Sequence, residues 1–250
     1  MHNESGVSEP GPADRLSVRD SRWRDLGLRA RWALLLASVA LIGVWLGGIA
    51  FVLLVAAVTF GLTVEWVQMW RGPSQGTGVE ARARLILALG LGYIAVAAAS
   101  LLWLRADPRA GLANTVFVLA VVWLSDIGAY LVGRAVGGAK LAPRISPGKT
   151  VAGAVGGLIA ALLAGAVVAV LLPRPTFVIN AAIAAIVLGV VAQAGDLLES
   201  FAKRHFGVKD SGRLIPGHGG LLDRLDALLA VAPVAALLAL AQGRGVVLWG

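Results

Sequence analysis

LILALGLGYIAVAAASLLWL, residues 85–104, decides the fold class. The run holds no charge and no proline, and Arg84 and Arg105 stand at its two ends. At 1.5 Å of rise per residue such a helix is about 30 Å long, the thickness of a bilayer's hydrocarbon core. Similar runs flank it on both sides. Trp32–Leu46 and Ile49–Gln68 precede it, separated by Gly47 and Gly48. Leu112–Gly133, Val151–Leu172, Thr176–Gly195 and Ala227–Gln242 follow, the last interrupted by Pro233. The expectation is an all-α, polytopic transmembrane bundle of about seven spans. Composition agrees. The 250 residues are 58% hydrophobic and only 14% charged, where soluble domains run near a quarter charged. There is no cysteine, so disulfide frameworks and thiolate metal sites are excluded. The net charge of +8 comes from basic residues scattered between apolar runs rather than gathered on one face, which argues against nucleic-acid binding.

Together, residues 32–68 are too long for one span and too short for two generous ones. A tight helical hairpin turning at the glycine pair resolves this, with a short, partly re-entrant first arm. Charge supports it. With the N-terminus in the cytoplasm and seven spans, 18 of the 22 Lys and Arg fall on the cytoplasmic side, as the positive-inside rule requires. Merging the first two runs would flip every later loop. Trp32, Trp66, Trp70 and Trp103 fall near span ends, where interfacial aromatics belong. Residues 1–31 form a separate cytoplasmic segment. Its start, rich in Gly, Pro, Ser and acids, reads as disordered, and its basic end faces anionic lipid. Residues 32–250 are then the membrane domain. The expected location is the inner, cytoplasmic membrane.

The polar residues cluster at the predicted cytoplasmic ends. Residues 195–226 read GDLLESFAKRHFGVKDSGRLIPGHGGLLDRLD. Asp196, Glu199, Ser200 and Lys203 recur at helical spacing and share one face. Two carboxylates, a hydroxyl and an ammonium so aligned suit a divalent cation and a phosphate held together. Oxygen ligands of this kind fit Mg²⁺. An interfacial helix end laced with ion pairs explains the same spacing. Lys209-Asp210-Ser211-Gly212 is a polar turn, and residues 215–220 are rich in glycine, which lets backbone amides approach an anion. Asp223 and Asp226 open the last helix on one face, and free amides at its N-terminus favour phosphate. His218 has no second histidine nearby and reads as a hydrogen-bonded residue rather than a metal ligand.

A second polar stretch runs from Ser125-Asp126 through Tyr130, then over Lys140, Pro143, Ser146, Pro147, Gly148, Lys149 and Thr150. It reads as a phosphate-cradling turn ahead of a helix, or as an ordinary basic loop. It lacks Walker A spacing. No repeat relates the two halves, which weighs against a secondary transporter.

The run Ser200-Phe-Ala-Lys203-Arg204, Lys209-Asp210-Ser211-Gly212, Pro216-Gly-His218-Gly-Gly220, Asp223-Arg224-Leu-Asp226 resembles the signature of phosphatidate cytidylyltransferases, the CDP-diacylglycerol synthases. The Asp126–Tyr130 and Lys140–Thr150 stretches resemble two further blocks of that family. The chain departs from the family pattern at Ile127, Gly148 and Ala152. The resemblance implies transfer of CMP from CTP to phosphatidate with Mg²⁺, releasing pyrophosphate. It implies Asp196 and Asp223 as metal ligands, with Glu199 and Asp226 beside them and Lys203 in the catalytic set. It implies Asp126, Lys140, Ser146, Lys149, Ser200, Lys209, Asp210 and His218 as substrate-binding. The partners implied are CTP, phosphatidate and the bilayer, with a homodimer admitted. A CTP-dependent polyprenol kinase and a membrane transporter are the alternatives.

Overall fold

The glycine pair turns the chain as the hairpin reading expects. Gly47 and Gly48 adopt positive φ, 62° and 50°, a region open to glycine at little steric cost. Helix α1 (Leu34–Leu46) therefore stops and α2 (Gly48–Trp70) sets off back along it. A side chain at Gly43 would strike Leu54, so the two arms lie against each other. Arg105 seals the turn. Its Nε donates to the Val44 carbonyl at 2.7 Å and its Nη2 to that of Trp45 at 3.2 Å.

This computed structural model describes residues 31, 34–70, 80–171, 178–208, 210–212, 214 and 219–250, with the side chains of 80–83 left aside. The segment 1–30 lies outside the described residues. After α2 come α3 (Glu80–Ala106), α4 (Gly111–Val136), α5 (Val151–Leu171), α6 (Val178–His205) and α7 (Leu222–Gln242). Six helices, α2 to α7, are long and apolar enough to cross a membrane, and α1 is a shorter apolar helix. At 28 residues α6 is about 40 Å long, longer than the hydrocarbon core. Its last turn, with Lys203, Arg204 and His205, therefore reaches past the apolar layer.

Two features differ from the sequence expectation. Helix α7, which begins at Leu222 so that Asp223 and Asp226 open it as expected, runs through Pro233 without a break. A proline removes one backbone donor, but neighbouring helices in a membrane bundle tolerate that, and Val231 and Ala232 beside it are fully buried. The stretch expected as a turn ahead of α5 is a β-ribbon. Strand β1 (Lys140–Ala142) pairs antiparallel with β2 (Ser146–Thr150), placing Lys140 opposite Thr150 and Ala142 opposite Ser146.

Small residues set the packing. A methyl group at Gly156 would stand 2.5 Å from Val132, and one at Gly153 2.8 Å from the Ala129 carbonyl. Helices α4 and α5 thus touch backbone to backbone, as small residues allow in lipid. Gln193 on α6 ties into the same seam, its amide donating to the Ala154 carbonyl at 2.9 Å. Phe117, Val121, Leu188, Val231 and Ala235 fill the space between α4, α6 and α7. At the end away from the polar residues, Trp249 stacks on Phe117 with centroids 4.3 Å apart. Asn114 Oδ1 accepts the Leu248 N–H there at 2.9 Å. The alternating helices bring the ends of α2, α4 and α6 and the starts of α3, α5 and α7 to the opposite end, where the site lies.

Candidate active site

Helical periodicity places the first acids. On α6, Asp196, Glu199 and Lys203 share a face, and Lys203 Nζ lies 2.8 Å from Glu199 Oε2, one turn back. The same ammonium donates to Asp223 Oδ1 on α7 at 2.7 Å. Lys203 therefore bridges the two helices. An ammonium has three N–H donors, so N–H capacity remains for a substrate. Lys149, at the end of β2, forms an ion pair with Asp196. The ribbon thus delivers one lysine to the acids of α6. Thr150 then opens α5, its Oγ1 accepting the Gly153 N–H at 3.0 Å, an N-cap that fixes where the ribbon ends.

Asp196, Glu199 and Asp226 each offer a carboxylate oxygen within 4.8 Å of the others. Asp223 stands outside this trio with both oxygens engaged. Its Oδ2 accepts the backbone N–H groups of Ser211 and Gly220, each at 3.1 Å. Asp126 on α4 is exposed, close enough to Asp196 and Lys149 to feel both charges. Five carboxylates thus meet two lysines among these described residues, a formal excess of three negative charges. Such a site takes up anionic phosphates only with additional cations.

The donor set fits a divalent cation. Both oxygens of Glu199 are buried and, among the described residues, accept no well-formed hydrogen bond, the Lys203 contact being one of distance and charge. Buried polar atoms are nearly always satisfied, and three carboxylates in reach of one point suit a hard cation.

Other residues singled out from the sequence fall around this core. Ser200 and Ser146 are half-buried, and Lys140 and Asp210 are exposed. Lys209 and His218 lie outside the described residues. The α7 N-terminus differs from expectation. Its amides are not free for phosphate, because acidic side chains occupy them. Asp223 takes the Gly220 N–H, and Glu65 on α2 accepts those of Leu221 and Leu222 at 2.9 and 2.8 Å. The Ser211 hydroxyl also donates to Glu65, at 3.2 Å. An anion at a helix N-terminus is stabilised by the same amides and dipole that would hold phosphate.

Glu65 escaped the sequence reading, although it is the only charged residue in the 49–68 run. An ionisable group inside an apolar span was signal enough. Tyr93 on α3 was missed too. Its hydroxyl is buried without a hydrogen-bond partner among the described residues. It lines a cavity of about 450 Å³ between α3, α6 and α7, whose apolar wall also carries Glu199 and Asp226. Ala88, Gly92, Ala194 and Gly195 line a shallow extension of it between α3 and α6. The acids therefore border an apolar space deep enough for part of a lipid.

The model of the cytidylyltransferase family matches residues 75–241. Proteins named phosphatidate cytidylyltransferase from Brucella suis and Brucella abortus are each 39% identical over 246 residues, covering 83% of this chain and 91% of theirs. One of the same name from Staphylococcus saprophyticus is 50% identical over 124 residues, covering 50% of this chain and 48% of its own.

Proposed function

This chain belongs to the cytidylyltransferase family, and from that premise we propose that it transfers CMP from CTP to phosphatidate, making CDP-diacylglycerol and pyrophosphate. One observation carries the reading. The acidic trio, with the buried Glu199 carboxylate held by no hydrogen bond among the described residues, stands beside the Lys203–Asp223 bridge on the wall of an apolar cavity. A polar nucleotide and a membrane lipid need that conjunction to meet.

In the reaction a phosphate oxygen of phosphatidate attacks the α-phosphorus of CTP. A P–O bond forms there as the bond to the β-phosphate bridging oxygen breaks, and pyrophosphate leaves with the electron pair. The nucleophile is already anionic at neutral pH, so no strong base is required. The task is to join two anions against their repulsion. Asp196, Glu199 and Asp226 would hold Mg²⁺, with Asp223 at their side. Bound there, the cation would offset charge on the CTP phosphates. Lys203, fixed by Asp223 and Glu199, directs its remaining N–H toward a phosphate, and Lys149 does the same from the ribbon. The acyl chains lie along α3 and α6, and the Tyr93 hydroxyl meets the head group where the cavity turns polar. The site faces the cytoplasm of the inner membrane, in keeping with the charge bias of the loops and the place where CTP is found.

The test uses the purified protein in detergent with phosphatidate, Mg²⁺ and CTP labelled either in the base or in the γ-phosphate. Base label passing into an organic-soluble lipid, with γ-label released as pyrophosphate, is the expected result. With a polyprenol supplied in place of phosphatidate, γ-label passing into its phosphate monoester, with base label staying in CDP, would turn the assignment to the CTP-dependent lipid kinase.

A further inference from the structure

We propose that Glu65 is a positioning residue of this site, resting on the cytidylyltransferase reading: from α2 it clamps the glycine-rich loop so that Asp223 holds Lys203 in place. Glu65 is fully buried. A buried carboxylate is retained only where donors satisfy it. Its donors are the Ser211 hydroxyl and the Leu221 and Leu222 amides. The clamp is therefore spent entirely on the loop and on the first turn of α7.

The loop is gripped twice at the same place. Ser211 gives its hydroxyl to Glu65 and its backbone N–H to Asp223. Gly220 gives its N–H to Asp223 while Leu221 and Leu222, next along, give theirs to Glu65. The two carboxylates thus staple the start of the loop to its end. The fit leaves no room for side chains. A Cβ on Gly212 would stand 2.6 Å from Glu65 Oε1, and one on Gly220 2.9 Å from Oε2. The backbone at Gly212 and Gly220 is moulded on the Glu65 carboxylate.

The consequence reaches the reacting groups through a short chain of contacts. With Oδ2 of Asp223 held by Ser211 and Gly220, its Oδ1 is aimed at Lys203. Lys203 in turn sits 2.8 Å from Glu199, a member of the acidic trio. Loosening Glu65 frees Asp223 to rotate, and Lys203 then loses its fixed position beside Glu199. Glu65 touches none of the trio itself, so its effect passes through Asp223.

Glu65→Gln is nearly isosteric. It sets an NH₂ group against an amide N–H at Leu221 or Leu222, and it removes the charge facing the α7 dipole. Variants at groups that orient such sites lose about 10- to 100-fold. The expected result is a Glu65→Gln protein that elutes from detergent gel filtration as the wild type does. Its kcat is about 10- to 100-fold lower, the Mg²⁺ concentration for half-maximal rate is raised, and the KM for phosphatidate stays within about twofold. Glu65→Asp, which keeps the charge, recovers part of the rate. Hydrogen exchange gives a readout independent of turnover: the amides of Leu221 and Leu222 exchange faster in Glu65→Gln, while α4 and α5 are unchanged. A purely structural role would lower the yield of folded protein and leave kcat per folded molecule and the Mg²⁺ midpoint alone. That outcome overturns the proposal. Should Glu65→Gln not fold, Ser211→Ala removes one donor of the clamp, and a loss of less than about twofold in kcat with an unshifted Mg²⁺ midpoint overturns it. A wild-type protein inactive on CTP and phosphatidate overturns the cytidylyltransferase reading and this role with it. An active wild type matched by Glu65→Gln overturns the role alone.

Discussion

Lys203 and Arg204 are adjacent cations at the end of α6, and they should differ sharply in what their loss does. Lys203 Nζ lies 2.7 Å from Asp223 and 2.8 Å from Glu199, with 16% of its side chain exposed. Arg204 is exposed, and among the described residues its Nε reaches the Ile145 carbonyl of the ribbon turn, at 3.4 Å. Two unit charges about 4 Å apart interact by about 4 kcal/mol at an effective dielectric of 20. Substrate phosphates lose part of that gain to water already displaced. Removal of one preorganised donor to a developing charge lowers turnover by about 10²–10³, or roughly 2.7–4 kcal/mol. Lys203→Ala should therefore reduce kcat by about two orders of magnitude. Arg204→Ala should reduce it by less than about fivefold, since exposed charge contacts contribute about 0–1 kcal/mol. Removing Lys203 also leaves Glu199 and Asp223 without their shared counter-charge, so gel filtration and a thermal melt in detergent must show both variants folded. Lys203→Arg tests charge against shape, because the guanidinium fork does not reproduce a point ammonium between two carboxylates. Initial rates of lipid labelling at matched protein then decide. Equal losses, or a larger loss at Arg204, would mean that the face of α6 carrying Asp196 and Glu199 is not the one that meets substrate.

Asp196→Asn and Asp226→Asn should each abolish most activity and shift the Mg²⁺ activation curve upward, measured as rate against free Mg²⁺; near-normal turnover at low Mg²⁺ would remove that residue from the cation site. Single cysteines at Pro143 and at Pro108, on a background without any, should be labelled by an impermeant reagent only at Pro108 in intact cells, because the charge bias puts the ribbon inside. Labelling of Pro143 alone would invert the topology. Asp107 lies in the turn after α3 and accepts the N–H groups of Arg109, Ala110 and Gly245. The Ala110 amide, chief among these bonds, holds its carboxyl below the usual carboxylate range. Its folded-state pKa being depressed, the stability it contributes is present at neutral pH and is lost as pH falls through that lowered value. Thermal melts should therefore show wild type and Asp107→Asn converging at strongly acidic pH and diverging at neutral pH.

How much of this was legible follows from what is local. The spans and the turn at Gly47 were readable because hydropathy and glycine act over a few residues. Asp196, Glu199 and Lys203 could be put on one face because the helix period is fixed. The ribbon was not readable: residues 140–150 carry Pro143, Pro147 and Gly148 and show no alternation, so they read as a turn. The occupancy of the α7 amides depended on Glu65, 156 residues from Leu221, and no local pattern reports such a contact. A lone acid in an apolar run is a costly group that the sequence reading passed over, and the sequence alone does not say which groups satisfy Glu65. Asp223 was grouped with Asp196 from the family pattern, and the helical spacing of Asp223 and Asp226 does not reveal which of them turns toward the amides and which toward α6.

The distance in sequence between Glu65 and its donors also sets a schedule for synthesis. Leu222 leaves the ribosome 157 residues after Glu65, which at roughly 5–20 residues per second is about 8–30 s. For that interval α2 is in or near the bilayer with a carboxylate whose final partners have not been made. Its apolar neighbours must carry it in, or it must wait at the interface until α7 arrives. Assembly of the nucleotide site then waits on the synthesis of α7, and nascent forms lacking that helix have no means of consuming CTP.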